Sequence, residues 1–493
     1  MNYQSFIGLE VHIHLLTKSK VFCKCDSAFG AEPNTHVCPV CMGYPGVLPA
    51  LNIEAMRMGC TVARALNCSI PERTWFERKQ YFYPDMTKNY QISQFASPLG
   101  QNGYIILEGE NNGQKINKKV RIKECHLEED AGKMIHTGTV SLLDYNRAGV
   151  SLLEIVTEPD METGEEAELF IRQLRRTVRY LGVCDGNMEE GSLRADANVS
   201  INTPGAGLGK KVECKNLNSS RFVRLALNYE IGRQAVRLDE GKTVVQETRL
   251  WNENRDQTEP MRQKENAQDY RYFPEPDLPV FTPDAAFLKT VDESLVELPQ
   301  NRIKRMAQQY GLDGGQIDII ADEKEEADFF EESAKAIGLK DGAEAAYKTL
   351  ANYFLGDIRG YLNKNGLDAR HIRSLNLKPA GLAGIVRMQE EGRISSKTAK
   401  KVLEMLLADG GDPEAIVAKN NWEQIRDKGT IEKAVNDVLA AEAATLADLK
   451  KAKDEGNAKR ASSLTAFLAG KAIAATGGRA DPRLVQEILA GKV

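Results

Sequence analysis

The chain has 493 residues, too many for a single core, so two to four domains are expected. An apolar content of 42%, a charged content of 27% and a net charge of -5 are ordinary for a globular protein; they exclude a uniformly basic nucleic-acid binder but leave room for a local basic face. No apolar run approaches the roughly 20 residues that cross a bilayer, and residues 1–6 are polar and too short for an export leader, so a cytoplasmic chain with no membrane partner is expected.

Residues 8–15 alternate as a strand does. Leu9, Val11, Ile13 and Leu15 fall on one face, and Glu10, His12 and His14, three metal-capable groups, fall on the other. Then come Cys23-Lys24-Cys25, a gap of twelve residues, and Cys38-Pro39-Val40-Cys41. Two close pairs at that separation predict a four-thiolate zinc site, which is structural because four thiolates leave no open coordination position. The other five of nine cysteines (Cys60, Cys68, Cys125, Cys184 and Cys214) are scattered and read as small buried apolar residues. An odd count in a large chain with no export signal argues against a disulfide framework and for a reducing compartment.

Strand patterns continue at 103–108 and 120–123, and a helix is predicted over 165–181, with Leu169, Leu174, Val178 and Leu181 at helical spacing. Acid-rich segments interleave with them. They hold Glu128 and Glu129, Glu154 amid Leu152, Leu153, Ile155 and Val156, then Glu190, and Asp196 alternating with apolar residues; Glu213 and Lys215 share a strand face. A carboxylate buried alone costs several kcal/mol, so each is paired or holds a cation. Oxygen ligands of this kind suit Mg²⁺ meeting phosphates, and Lys133, Arg147, Arg194 and Lys215 suit phosphate neutralisation. An internal salt-bridge network explains the same residue types equally well. Gly205-Ala206-Gly207-Leu208-Gly209-Lys210-Lys211 looks like a phosphate loop, but its spacing is wrong and the hydroxyl is missing; it reads as a hairpin loop between strands 195–202 and 211–215.

Residues 273–279, punctuated by prolines, read as an exit from this first domain. Beyond residue 299 strand patterns vanish. An acidic amphipathic helix is expected over 322–332, a break at Gly410-Gly411, a helix start at Asp412-Pro413 and helical periodicity over 431–449. The last stretch is basic, with Lys450, Lys451, Lys453, Lys459, Arg460, Lys471, Arg479 and Arg483, and suits either phosphate contact or plain solvation. The whole is an α+β chain: a strand-rich domain at 1–295, a helical domain at 296–408 and a helical tail at 409–493.

Long runs carry a resemblance. They include Ile7-Gly8-Leu9-Glu10-Val11-His12, Tyr44-Pro45-Gly46-Val47-Leu48-Pro49, Tyr81-Phe82-Tyr83-Pro84-Asp85, 128–133, 188–196, Lys215-Asn216-Leu217-Asn218-Ser219 and Asp269-Tyr270-Arg271-Tyr272-Phe273-Pro274. On these the chain resembles the B subunits of aspartyl/glutamyl-tRNA amidotransferases. The resemblance implies a cradle-like catalytic domain, a helical domain and a tRNA-contacting tail. It also implies an ATP- and Mg²⁺-dependent phosphorylation of the side-chain carboxylate of Glu-tRNA(Gln) or Asp-tRNA(Asn). Ammonia from a partner glutaminase (amidase-type) subunit would then complete the amide, in a complex with a small third subunit. The family's metal and ATP positions fall on Glu10, His12, Glu129, Glu154, Asp196 and Glu213, with Glu128 as the alternative to Glu129, and on Lys133, Glu190, Arg194 and Lys215. The zinc positions fall on Cys23, Cys25, Cys38 and Cys41. Departures from the family pattern occur at His14, at Asp85-Met86-Thr87-Lys88, at Lys264-Glu265-Asn266-Ala267-Gln268 and over 440–459. The competing expectation is a zinc-containing tRNA-binding scaffold without chemistry of its own.

Overall fold

The computed structural model describes residues 2–111, 114–261, 270–338 and 343–492. The departure at 264–268 and Asp269 lie outside them. The described chain forms two compact units, Met1–Asn301 and Arg302–Val493.

The first unit is mixed α/β. In chain order it holds β1 (Gln4–His14), α1 (Ile53–Ala65), β2 (Glu77–Gln80), β3 (Tyr90–Ser93), β4 (Gly100–Asn111), β5 (Gln114–Glu129), β6 (Lys133–Thr137), β7 (Val140–Asp144) and β8 (Ser151–Thr157). There follow α2 (Gly164–Tyr180), β9 (Leu193–Asn202), β10 (Val212–Lys215), α3 (Ser220–Asp239), β11 (Glu247–Asn252), β12 (Gln257–Pro260), β13 (Phe273–Pro274) and α4 (Ala285–Glu293). Eight strands make one sheet in the order β12-β11-β10-β9-β1-β8-β5-β4; β13-β2-β3 and β6-β7 form small separate sheets. Every pairing in the large sheet is antiparallel except β10 with β11.

Alternation decides which face is covered. Leu9, Val11 and Ile13 of β1, Leu153 and Ile155 of β8, Ala195 and Ala197 of β9 and Cys214 of β10 are fully or almost fully buried. They share one core with Ala55 and Met56 of α1, Phe170 and Leu174 of α2 and Val223 and Leu227 of α3. Polar residues cap each of these helices at its start: the side chains of Asn52, Thr163 and Ser219 accept from the backbone N–H of Glu54, Glu166 and Phe222. Burial drives the helices onto the apolar face and leaves the other face for the acids and histidines. The 205–211 segment is the loop of the β9–β10 hairpin, as its residues predict.

The second unit is helical: α5 (Pro299–Tyr310, which starts just before it), α6 (Gly314–Ile320), α7 (Lys324–Ile337), α8 (Ala343–Asn352), a π turn (Tyr353–Ile358), α9 (Arg359–Lys364), a 3₁₀ turn (Ala369–Ser374), α10 (Pro379–Glu390), α11 (Ser396–Asp409) and α12 (Pro413–Lys419). These enclose one apolar core. A second core, built on Ile431, Val435, Leu449, Leu468, Val485 and Leu489, joins α13 (Lys428–Ala441), α14 (Ala443–Asp454), α15 (Ala458–Ala475) and α16 (Pro482–Lys492). The periodic stretch 431–449 is thus two helices, broken at Glu442, whose φ of -107° and ψ of 39° leave the helical range. The expected break at Gly410 and the cap by Asp412, which accepts from the backbone N–H of Ala415, are both present.

Candidate functional site

Strand register assembles the polar face of the large sheet in rungs. On one rung His126, Glu154, His12 and Arg194 lie side by side across β5, β8, β1 and β9. On the next, Val156, Glu10 and Asp196 are neighbours, and beyond it Asn198 pairs with Glu213. Residues opposed in this way have Cβ atoms about 5 Å apart, so their side-chain tips meet.

Ligand atoms of His12, Glu128 and Glu154 lie within 4.8 Å of one another. Glu154 Oε2 sits 3.3 Å from His12 Nε2 and 2.9 Å from His126 Nε2. Both histidines also lie 3.9 Å from Glu128. Burial opposes charge on both rings, but the hydrogen bond and charge of Glu154 outweigh it and raise both imidazoles above their ordinary value. Glu154 is held correspondingly low against its own burial.

Glu10, Asp196 and Glu213 form a second group. Glu10 accepts from Asn198 Nδ2 at 3.0 Å. Burial, then the charges of Glu154 and Glu213, raise its carboxyl. Asp196 and Glu213 share one cation, Lys215 Nζ, at 2.6 and 3.1 Å. The acids therefore converge, and one lysine serves two of them. Two buried atoms on this face, His126 Nδ1 and Asn198 Oδ1, have no hydrogen-bond partner. An excess of oxygen ligands, with the orphaned Asn198 oxygen beside them, is what a hydrated divalent cation satisfies, so these residues fit Mg²⁺. A cavity of about 350 Å³ abuts Glu10, with Phe6, Val156, Asn198, Leu208 and Lys211 in its wall.

The remaining predicted residues have other partners or other positions. Glu129 points away from this face: Lys88 Nζ binds it at 2.6 Å and the Ile92 backbone N–H donates to it at 2.9 Å. Glu128 is the member of the pair that faces His12, because parity along β5 puts it with His126. Lys133 is exposed in the β6–β7 hairpin and Glu190 is exposed in the turn before β9; neither is brought to the acids. Arg147 donates to the carbonyls of Ala131 and Gly132. Arg194 binds Asp130 at 2.9 Å, where His14 also binds at 2.7 Å. Burial opposes the Asp130 charge, yet Arg194, His14 and Arg147 hold its carboxyl far below the usual range. Sequence reasoning did not single out His126, Asp130 or Lys88; the first was legible from its alternation with Glu128.

Cys23, Cys25, Cys38 and Cys41 come together in the loop after β1, all four sulfurs within 4.8 Å of one another. Cys41 Sγ lies 3.9 Å from Cys38 Sγ and 4.0 Å from Cys25 Sγ. A tetrahedral ion with bonds of about 2.3 Å sets sulfurs about 3.8 Å apart, so the cluster fits one. The Cys41 thiol is pulled down to about 4, first by the hydrogen bond from Cys23 and further by the Cys38 backbone N–H and the Lys20 charge. Next to it is a cavity of about 220 Å³ walled by Lys20, Cys41, Arg78, Lys88, Tyr90 and Glu129.

Residues 5–289 match the family model described as the GatB/GatE catalytic domain, and residues 328–493 match the GatB domain. Curated relatives run the full length. The B subunit of the aspartyl/glutamyl-tRNA(Asn/Gln) amidotransferase of Acaryochloris marina is 43% identical over 500 residues, covering 100% of this chain and 98% of that protein. The proteins of the same description from Synechococcus elongatus (44%; 100% and 98%) and Carboxydothermus hydrogenoformans (43%; 100% and 99%) are similar to the same degree. On this likeness, spanning both units, the chain belongs to the family of B subunits of the aspartyl/glutamyl-tRNA(Asn/Gln) amidotransferases.

Proposed function

We propose that the polar face of the large sheet activates a carboxylate by phosphoryl transfer. The γ-phosphoryl group of ATP passes to a side-chain oxygen of misacylated Glu-tRNA(Gln) or Asp-tRNA(Asn), and ADP leaves. Ammonia from a partner glutaminase subunit then displaces phosphate and leaves the amide. The observation that carries this reading is the register of β5, β8, β1, β9 and β10, which lines up Glu128, Glu154, His12, Glu10, Asp196 and Glu213 on one face.

Mg²⁺ held there would supply charge neutralisation for the transferring group. The residues themselves do the rest. Glu128, Glu154 and His12 offer one ligand set, and Glu10, Asp196 and Glu213 a second. Lys215 and Arg194 bring cations to the rim, and the cavity beside Glu10 gives apolar wall and Lys211 to a nucleotide. We further propose zinc as the ion at the four cysteines, with a structural role. In this reading residues 1–295 carry the chemistry, 296–408 form a helical connector and 409–493 meet tRNA. The exposure of Lys450, Lys459, Arg460, Lys471, Arg479 and Arg483 supports the last assignment.

The test is transfer of label from γ-labelled ATP to aminoacyl-tRNA by the assembled enzyme. Glu10→Gln and Asp196→Asn are expected to lower transfer by about 10²–10³-fold while circular dichroism stays unchanged. Full transfer by both variants would displace the site, and no label on the aminoacyl group in the intact enzyme would favour the scaffold.

A further inference from the structure

We propose that Lys20 is a positioning residue for the four-cysteine centre, its ammonium serving as the built-in counter-cation of the metal–thiolate cluster and orienting Cys41 through an N–H···S hydrogen bond. This rests on the reading of Cys23, Cys25, Cys38 and Cys41 as a metal site.

Lys20 is 0% exposed, and among the described residues no other lysine is buried to that degree. A lysine is almost never fully buried without a partner of opposite charge, because stripping water from an ammonium is costly. Yet the partners of Lys20 Nζ are the Cys41 sulfur at 3.6 Å and the Tyr145 carbonyl at 3.2 Å. Neither is a carboxylate. Glu129, across the same cavity, is engaged by Lys88 at 2.6 Å. The neutral carbonyl cannot balance the charge, so the balance falls on sulfur.

Four thiolates on a divalent ion carry a net charge of about -2. An ammonium against one of the sulfurs offsets part of it in a place water does not reach. The geometry makes Cys41 the natural recipient. It is the buried member of the four, and its sulfur also accepts the Cys38 backbone N–H at 3.2 Å. Lys20 is fixed at both ends for this task. Its backbone N–H donates to the Cys25 carbonyl at 3.0 Å, which anchors its root on the first cysteine pair. Its Nζ reaches the second pair and, through Tyr145, the segment that leads into β8. Loss of the ammonium would leave the cluster more negative and Cys41 less constrained, and outer ligands of this kind change metal affinity by about 10–100-fold.

The experiment measures metal binding, not turnover. Lys20→Met keeps the length and apolar bulk of the side chain and removes the charge. Zinc affinity is determined on the full chain by chelator competition, and the sulfur-to-metal charge-transfer band is recorded after Co²⁺ substitution. Lys20→Met is expected to bind zinc about 10–100-fold more weakly and to move that band to lower energy, because an unbonded thiolate is a better electron donor. Where Lys20→Met yields too little folded protein, Lys20→Gln, which keeps an N–H donor and drops the charge, is measured instead and is expected to fall between it and the parent. Affinities within about twofold of the parent, with an unmoved band, overturn the proposal. A parent chain that takes up almost no zinc with its thiols reduced overturns the metal reading itself, which is a separate result.

Discussion

A single residue of parity separates Glu128 from Glu129, and the two have different fates. Glu128 meets His12 and His126, while Glu129 is claimed by Lys88 and the Ile92 N–H. The alternation of Glu10 with His12, and of Asp196 with Asn198, was legible in the sequence because each lies on one strand. The choice at 128 and 129 was not, since it depends on which face β5 presents to β8. The Asp130 cluster escaped for the same reason: its partners His14, Arg147 and Arg194 come from three other segments. With Glu154 holding His12 and His126 protonated above the ordinary value of 6.5, a cation at this site competes with protons. Mn²⁺ affinity, followed by electron paramagnetic resonance, is therefore expected to fall as pH drops through the raised histidine value. Asp130→Asn is expected to destabilise the chain by about 2–3 kcal/mol at pH 7 in urea unfolding. Because the folded carboxyl is depressed, this stabilisation is complete above the unfolded value near 4 and is lost as pH falls toward the folded one. The gap between variant and parent should thus close in acid.

Elements were legible where one period ran unbroken. β1, β9 and α2 follow their apolar spacing, and Asp412 with Pro413 marks the start of α12 as its residue types predict. Two features were not. The spacing over 431–449 carries through the break at Glu442 because residues on both sides, Ile431, Val435, Val438 and Leu439 before it and Leu449 after it, enter the same core. Gly103 in β4 carries no local signal at all, yet a Cβ there would lie 2.4 Å from Cys68 Sγ and 2.5 Å from the Leu66 carbonyl, partners that only the fold brings close. Gly103→Ala is accordingly expected to cost about 1–3 kcal/mol. Gly232→Ala, in α3 with open space around it, should stabilise by about 0.5–1 kcal/mol through helix propensity. Opposite signs for the same substitution, read from urea midpoints, check both.

At the scale of the whole chain, the sequence marked the end of strand patterns near residue 299, and the compact units divide at Asn301. The separate core joining α13 to α16 was foreshadowed only by the Gly410-Gly411 break, because helices of similar composition do not announce which core they enter. Units with their own cores melt as such, so calorimetry is expected to resolve more than one transition. Zinc chelation should lower the one belonging to the first unit by about 5 °C or more and leave the rest in place. The sheet order has a consequence for synthesis. β1 is synthesised before β8 and β9 yet sits between them, and their last residues are Thr157 and Asn202. At translation rates of about 5–20 residues per second, its unpaired edges wait of the order of 10–40 s on the ribosome for their neighbours. Until they arrive, the backbone N–H and C=O groups along both edges of β1 have no ladder partners, which makes that interval the aggregation-exposed one.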